Sequence, residues 1–261
     1  MPEQLLDSVP LWAVFVGTMA ITLVSIRVGF RAGVYRRQRA EEAEGPVGSV
    51  VGAMLGLLAF ILAFTFGIAS SRFDTRKHLV LEEVNAIETA YLRAGLLPEP
   101  QRTESRRLLR QYVDQRAEFS KDPVKLAQGL AESEAVQAQL WSIAAPLART
   151  DLNSDIGALY IESLNHVIDL HTARVTVGLQ YRVPPVVWIG LLLVTMLSMA
   201  GVGYQFGVVG RTSFLIHLVL ALTFSAVVYL IADLDRPLHG LLQVSQRPMI
   251  ELRDRLERAD R

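Results

Sequence analysis

The sequence predicts an all-α membrane protein in which four transmembrane helices carry a helical soluble domain inserted between the second and third. Three observations lead there. Hydrophobic residues make up 51% of the 261 positions, and the mean hydropathy is positive, as expected for a membrane bundle with one modest soluble domain. Four runs are long and charge-poor enough to cross a bilayer: Val9 to Ile26, Val47 to Ser71, Val186 to Val209, and Thr212 to Ala232. Between the second and third runs lies a charged region whose apolar residues recur at helical spacing, without the alternation of a strand.

The first span follows Met-Pro-Glu-Gln, without the positive flank or the small-residue cleavage site of a secretory signal, so it is expected to be a retained membrane helix. Residues 9–71 then hold spans one and two. Within the second, Gly48, Gly52 and Gly56 recur at every fourth position and share a narrow arc, with Ala59, Ala63 and Ser70 close to it. Small residues at that spacing let another helix approach closely, and Gly203 and Gly207 in the third span offer a matching surface. The partner of the glycine line is left open between the same chain and a second copy. Leu57, Phe60, Phe64, Ile68 and Ser71 form a neighbouring arc.

Residues 72–183 form the expected helical domain, continuous with the second span. No glycine or proline interrupts Ser70 through Ala94, while Gly95, Pro98 and Pro100 supply a stop. A second domain helix is predicted from about Thr103, as N-cap, through Leu108, Leu109, Tyr112 and Val113 to Phe119. A third begins at the Asp122-Pro123 cap, carries Leu126, Leu130, Val136, Leu140, Ile143 and Leu147, and is expected to bend or end at Pro146. The last starts near Asn153 or Ser154 and presents Ile156, Leu159, Tyr160, Leu164, Val167, Ile168 and His171 as one buried face. Residues 184–232 hold spans three and four, entered through Pro184-Pro185, and residues 233–261 form a tail ending in a short charged helix, Met249 to Arg258.

Lys plus Arg and Asp plus Glu both number 26, so no bulk charge points to nucleic acid. The chain has no cysteine, which removes disulfides, thiolate catalysis and cysteine-ligated metals. No Ser/His/Asp arrangement, phosphate-cradling glycine loop or catalytic carboxylate pair stands at meaningful spacing, so neither an enzyme nor a cofactor is expected. Glu162 and His166 lie one helical turn apart with Asp169 and His171 nearby, but zinc needs three or four converging ligands, and a solvated surface pair is the favoured reading. His217, an ionisable group inside a span, is a functional candidate whose position near the span's end favours an interfacial role.

Three segments carry a resemblance to a known family. They are Phe64-Thr65-Phe66 with Ser71-Arg72-Phe73-Asp74 and Arg76; Glu82-Glu83 with Asn85-Ala86-Ile87 and Thr89-Ala90-Tyr91-Leu92-Arg93; and Asp235-Arg236-Pro237 with Gly240, Val244 and Ser245. The chain resembles the bacterial bestrophin-like domain family, membrane proteins of largely unassigned function. The resemblance implies the layout of bestrophins, which are pentameric anion channels whose second spanning helix lines a hydrophobic neck and whose helical domain forms a wider vestibule. It also implies a multi-pass protein of the bacterial inner membrane, working as a homo-oligomer on small inorganic ions. Carried over, the neck is Leu57, Phe60, Phe64 and Ile68, with Ser71 beyond it, and Arg72, Arg76 and Lys77 become a positive ring at the mouth. Phenyl rings suit a neck because a hydrophobic constriction gates by dewetting and the positive ring edge tolerates an anion. The structural alternative for Phe60 and Phe64 is ordinary packing between helices. Asp74, Glu82 and Glu83 lie close to the basic ring and offset its field. No counterpart of the acidic calcium cluster of animal bestrophins is present.

Arg27, Arg31, Arg36, Arg37 and Arg39 follow the first span, and the positive-inside rule places that loop in the cytoplasm and the helical domain outside. The bestrophin likeness implies the reverse; Arg72, Arg76, Lys77, Arg236 and Arg247 on the other side reduce the imbalance, and Glu41, Glu42 and Glu44 weigh little. The side of the domain stays open. The reading carried forward is an anion channel; the alternative is a membrane-anchored scaffold or sensor whose helical domain binds a protein partner. A transporter would show broken helices or inverted repeats, which the sequence lacks.

Overall fold

The structure is a computed structural model that describes residues 9–39, 46–118, 123–150, 154–210, 213–238 and 240–259. Every regular element among them is a helix. Phe119, Asp122, Asn153, Thr212, Glu41, Glu42 and Glu44 lie outside the described residues, and with them the expected Asp122 cap. Among the described residues, four helices are long and apolar enough to cross a membrane. The chain divides into two compact units, one holding 1–72, 182–236 and 240–242, the other 73–181, 237–239 and 243–261.

The apolar unit contains α1 (Leu11–Arg39), the first half of α2 (Val47–Ala94), α6 (Pro185–Val209) and α7 (Phe214–Asp235). Its closest packing joins α1 to α6. A Cβ at Gly29 would fall on the carbonyl of Ala200, and one at Gly33 on that of Tyr204; in return Gly203 faces the carbonyl of Ile26, and Gly207 that of Phe30. Contact positions rise together along both helices, so α1 and α6 run parallel, as a first and third span must. Gly203 and Gly207 therefore pack on the stretch of α1 that carries Gly29 and Gly33, with Gly207 directly against Gly33, and the expected match with the glycine line of α2 is not the one made. The bundle brings α1 rather than α2 within reach of these glycines, and because α1 and α6 both carry glycines four apart, each backbone enters the other's groove.

α7 runs antiparallel to α1. The rings of Phe15 and Tyr229 meet edge to face at 6.3 Å, and Arg236 Nη2 donates to the carbonyl of Val9 at 2.6 Å. α2 meets α6 on another side, where Ser198 Oγ donates to the carbonyl of Met54 at 3.2 Å. Val51 and Met54 pack near Gly201, and Gly48 lies beside the Gln205 side chain. α6 ends at Gly210, whose φ of 76° is the left-handed cap that glycine adopts without strain.

The charged unit contains the second half of α2, α3 (Gln101–Ala117), α4 (Pro123–Thr150), α5 (Asp155–Val175), a π-helical turn (Thr176–Gln180) and α8 (Arg247–Ala259). Its core gathers Ile87, Ala90 and Tyr91 of α2, Leu108, Leu109 and Val113 of α3, Leu140 of α4, Leu164 and Val167 of α5, and Met249 and Leu252 of α8. α2 stops at Ala94, immediately before Gly95. Thr103 is not the cap of α3: the helix begins two residues earlier, and the Glu99 carboxylate accepts from both the Thr103 amide and hydroxyl. α4 passes through Pro146 to Thr150 rather than ending there. Ser154 caps α5 by accepting from the Gly157 amide at 3.1 Å. Ile156 and Leu159, expected on its buried face, are exposed, because the covered stripe runs through Tyr160, Leu164, Val167 and His171.

Candidate functional site

Inside the apolar unit, α2 is covered on one side alone. Val51, Leu58, Thr65 and Ala69 recur on one face and are buried. Leu57, Phe60 and Phe64 turn away from that face and are 54%, 68% and 63% exposed, in the range of outward-facing apolar residues on the other spans such as Trp12 and Phe214. Phe60 and Phe64 lie one turn apart with rings near-parallel and centroids 6.4 Å apart. Ser71 is exposed on the same side and Ile68 is half-buried. Gly52 and Gly56 have open space where a Cβ would stand. The glycine arc and the aromatic arc thus belong to one uncovered surface, and of the three glycines it is Gly48 that meets a neighbour within the chain.

The basic residues beyond the span differ in burial. Lys77 is exposed, 3.9 Å from Asp74, in an exposed pair of the kind that contributes little. Arg72 is half-buried. Arg76 is buried and lines a cavity in the charged unit, so it does not belong to an outward-facing ring on this chain. Glu162, His166 and Asp169 are exposed while His171 is buried, so the four do not converge. In the apolar unit, His217 sets its ring edge-on to Phe206 at 5.1 Å.

At the centre of the charged unit sits a buried ionic network. Glu83 is fully buried and accepts from Arg116 Nε at 3.0 Å, Arg116 Nη2 at 3.4 Å and Arg174 Nη1. Tyr112 donates its hydroxyl proton to Glu83 Oε1 at 3.0 Å. With that proton committed, the Tyr112 oxygen accepts from Gln137 Nε2 at 3.2 Å and from His171 Nδ1 at 3.1 Å. That places the neutral histidine's proton on Nδ1. Burial pushes the Glu83 carboxyl up, but Arg174 and Arg116 together outweigh it and hold it below the ordinary range. Burial, then the field of Arg116, brings His171 down from 6.5 to about 4.

Where α7 ends, the chain folds back on two carboxylates within the apolar unit. Asp233 accepts from the amides of Leu241 and Leu242 at 2.9 and 3.0 Å, and Gly240 has no side chain to obstruct it. Asp235 accepts from the Val183 amide at 2.9 Å, and its carbonyl accepts from Arg182. Both carboxylates are engaged by backbone amides, which gives Asp235-Arg236 and Gly240 a structural task.

A family model described as the bestrophin-like domain matches residues 12–249, nearly the whole chain. The chain belongs to the bestrophin-like family. No curated protein sequence matches it, but solved structures do. A bacterial bestrophin homolog from Klebsiella pneumoniae carrying a point substitution is 14% identical, covers 94% of this chain and 98% of its own, and gives a TM-score of 0.65. The same homolog solved by Zn-SAD phasing is 14% identical, covers 93% of this chain and 96% of its own, and gives a TM-score of 0.65. A structure described as a membrane protein is 15% identical over 94% of this chain and 96% of its own, with a TM-score of 0.64. At that identity the likeness is one of fold. Family and apolar helices together describe a multi-pass membrane protein.

In this bestrophin-like chain the buried network is the feature least visible in the sequence. Glu83 stood out as a motif residue, and Tyr112 and His171 as apolar-face residues, yet nothing in their spacing joins residues 29 and 59 positions apart. The available signal was Arg174 and Arg116 on otherwise apolar faces. The network makes stability pH-dependent. His171 binds a proton in the unfolded chain near 6.5 but in the fold only near 4, so its contribution is complete above 6.5 and is lost as pH falls toward 4. Glu83, with its pKa lowered from 4.5, adds a loss of the same sign below that value. Thermal unfolding between pH 7.5 and 4.5 should show a falling midpoint, and His171→Gln, which retains a donor toward Tyr112, should flatten the upper part of that fall. An unchanged slope in the variant would refute this assignment.

Proposed function

We propose that the chain assembles as a homo-oligomeric, anion-conducting channel, pentameric by its likeness to bestrophins. The α2 face carrying Leu57, Phe60, Phe64, Ile68 and Ser71 surrounds the axis. The observation that supports this reading is the one-sided burial of α2: Phe60 and Phe64 are uncovered and stacked while Val51, Leu58, Thr65 and Ala69 pack inside the chain. In a ring of subunits the phenyl groups form a hydrophobic constriction that a permeating anion passes at its ring edges. Gly52 and Gly56, on the same uncovered surface, admit the α2 of the adjacent copy at close range. Lys77 and Arg72 add positive charge beyond the neck, offset in part by Asp74.

Purified protein reconstituted in chloride-loaded liposomes should release chloride, and Phe64→Ala or Phe60→Ala should raise the flux severalfold while leaving the assembly size unchanged. Well-folded reconstituted oligomers that pass no ions would overturn the proposal. A stoichiometric protein partner retained under those conditions would point instead to a membrane-anchored scaffold.

A further inference from the structure

The charged unit contains a partly open cavity of about 300 Å³, at the lower end of the roughly 300–1,000 Å³ typical of small-ligand sites. Guanidinium groups from three helices line it: Arg76 from α2, Arg116 from α3 and Arg174 from α5. They are only 5%, 6% and 9% exposed. Arg116 and Arg174 share a single carboxylate, that of Glu83, which lies behind the wall, and no carboxylate is among the described residues that line the space. Two buried cations on one anion leave an excess of positive charge where solvation is poor, a situation that a bound anion relieves. The rest of the wall is chemically different. Val80, Leu130 and Leu179 present an apolar surface, and Gln243, Ser245 and Gln246 of the tail supply neutral polar groups. Gln246 is held in place by Arg174 Nη2 at 3.2 Å. The π-helical turn Thr176–Gln180 places Gly178 and Leu179 on this wall, and π-turns within helical runs occur frequently at functional sites.

We infer that this cavity is a binding site for a small organic anion, a carboxylate whose charged end meets the arginines and whose apolar body lies against Val80, Leu130 and Leu179. Arginine suits the task because it stays charged when buried, and a buried, charge-assisted hydrogen bond is stronger than a neutral one. The apolar wall discriminates against a bare inorganic ion, which gains nothing from it. Conduction is not a premise of the inference: the site lies wholly within the charged unit and is tested without measuring flux.

The probe is sodium benzoate, titrated into the full chain in detergent at constant ionic strength while thermal unfolding is followed, with neutral benzamide and sodium chloride as comparators. Benzoate should raise the midpoint saturably, and the other two should not. Gly178→Leu places a side chain on the cavity wall at a position where a Cβ has open space, leaves the Glu83 bonds intact and should abolish the shift in a protein that still unfolds cooperatively. Arg76→Gln should weaken benzoate binding at least about tenfold, the loss of one charge-assisted contact. Absence of a saturable shift in the unsubstituted chain would overturn the inference. So would a shift that both variants retain, or one that benzamide or chloride reproduces.

Discussion

Replacing Glu83 with alanine should destabilise the charged helical unit by about 3–5 kcal/mol, the usual cost of removing one partner from a buried ion pair. The carboxylate is the shared acceptor for Arg116, Arg174 and the Tyr112 hydroxyl. Without it, two guanidinium groups remain buried with no opposing charge, and Tyr112 loses the acceptor that orients its hydrogen bonds with His171 and Gln137. Differential scanning calorimetry of the purified chain, or proteolysis of the charged unit under native conditions, would report the loss. Glu83→Gln should fall between the two, since it preserves shape and one acceptor but not the charge. The double variant Glu83→Gln with Arg116→Met should recover part of the deficit, because residues sharing one network are not additive. A stability change under about 1 kcal/mol in Glu83→Ala would contradict the network's role.

The second large effect is expected at the α1–α6 contact. Gly203→Ala adds a single methyl group, yet that methyl would lie closer to the Ile26 carbonyl than real Cβ atoms come to backbone. The helices must separate, and the overpacking should cost about 1–3 kcal/mol, with Gly203→Val costing more. Monodispersity and thermal survival in detergent should fall accordingly. Gly56→Ala is the informative contrast, because a Cβ there has open space within the chain. It should leave the single-chain fold unharmed, or up to about 1 kcal/mol more stable through higher helix propensity, while altering subunit association if Gly56 faces a second copy. Equal damage from both substitutions would mean that the two glycines play the same part, contrary to the contacts described.

What was legible in the sequence follows from local physics. A membrane-length run free of charge reports itself through hydropathy, and Gly95 and Ser154 mark helix ends because caps act within a turn. The expected Thr103 cap misplaced a local signal, because Glu99 reaches forward to satisfy the Thr103 amide, and of the bend or end expected at Pro146 the end does not occur, because α4 runs on to Thr150. The two adjacent arcs of α2 were also legible, since helical periodicity is a property of a single segment, whereas their exposure within the chain was not.

Pairing between segments was not. The glycines of α2, α1 and α6 look alike in sequence, and the choice of Gly29 and Gly33 as partners for Gly203 and Gly207 depends on which backbones the bundle brings within reach. Arg76 reads as an exposed charge beside Lys77, yet the turn of α2 carries one inward and leaves the other in solvent. Glu83, Tyr112, Arg116, His171 and Arg174 come from three helices, and their meeting is set by the packing of the charged unit. By itself the sequence determined the helical class, the four apolar spans, the family and the aromatic arc of α2, because each is written in composition, in period or in a contiguous motif. The tertiary structure alone decided which glycines interlock, which arginines are buried and that three of them enclose a cavity, because burial and charge pairing arise between segments distant in sequence.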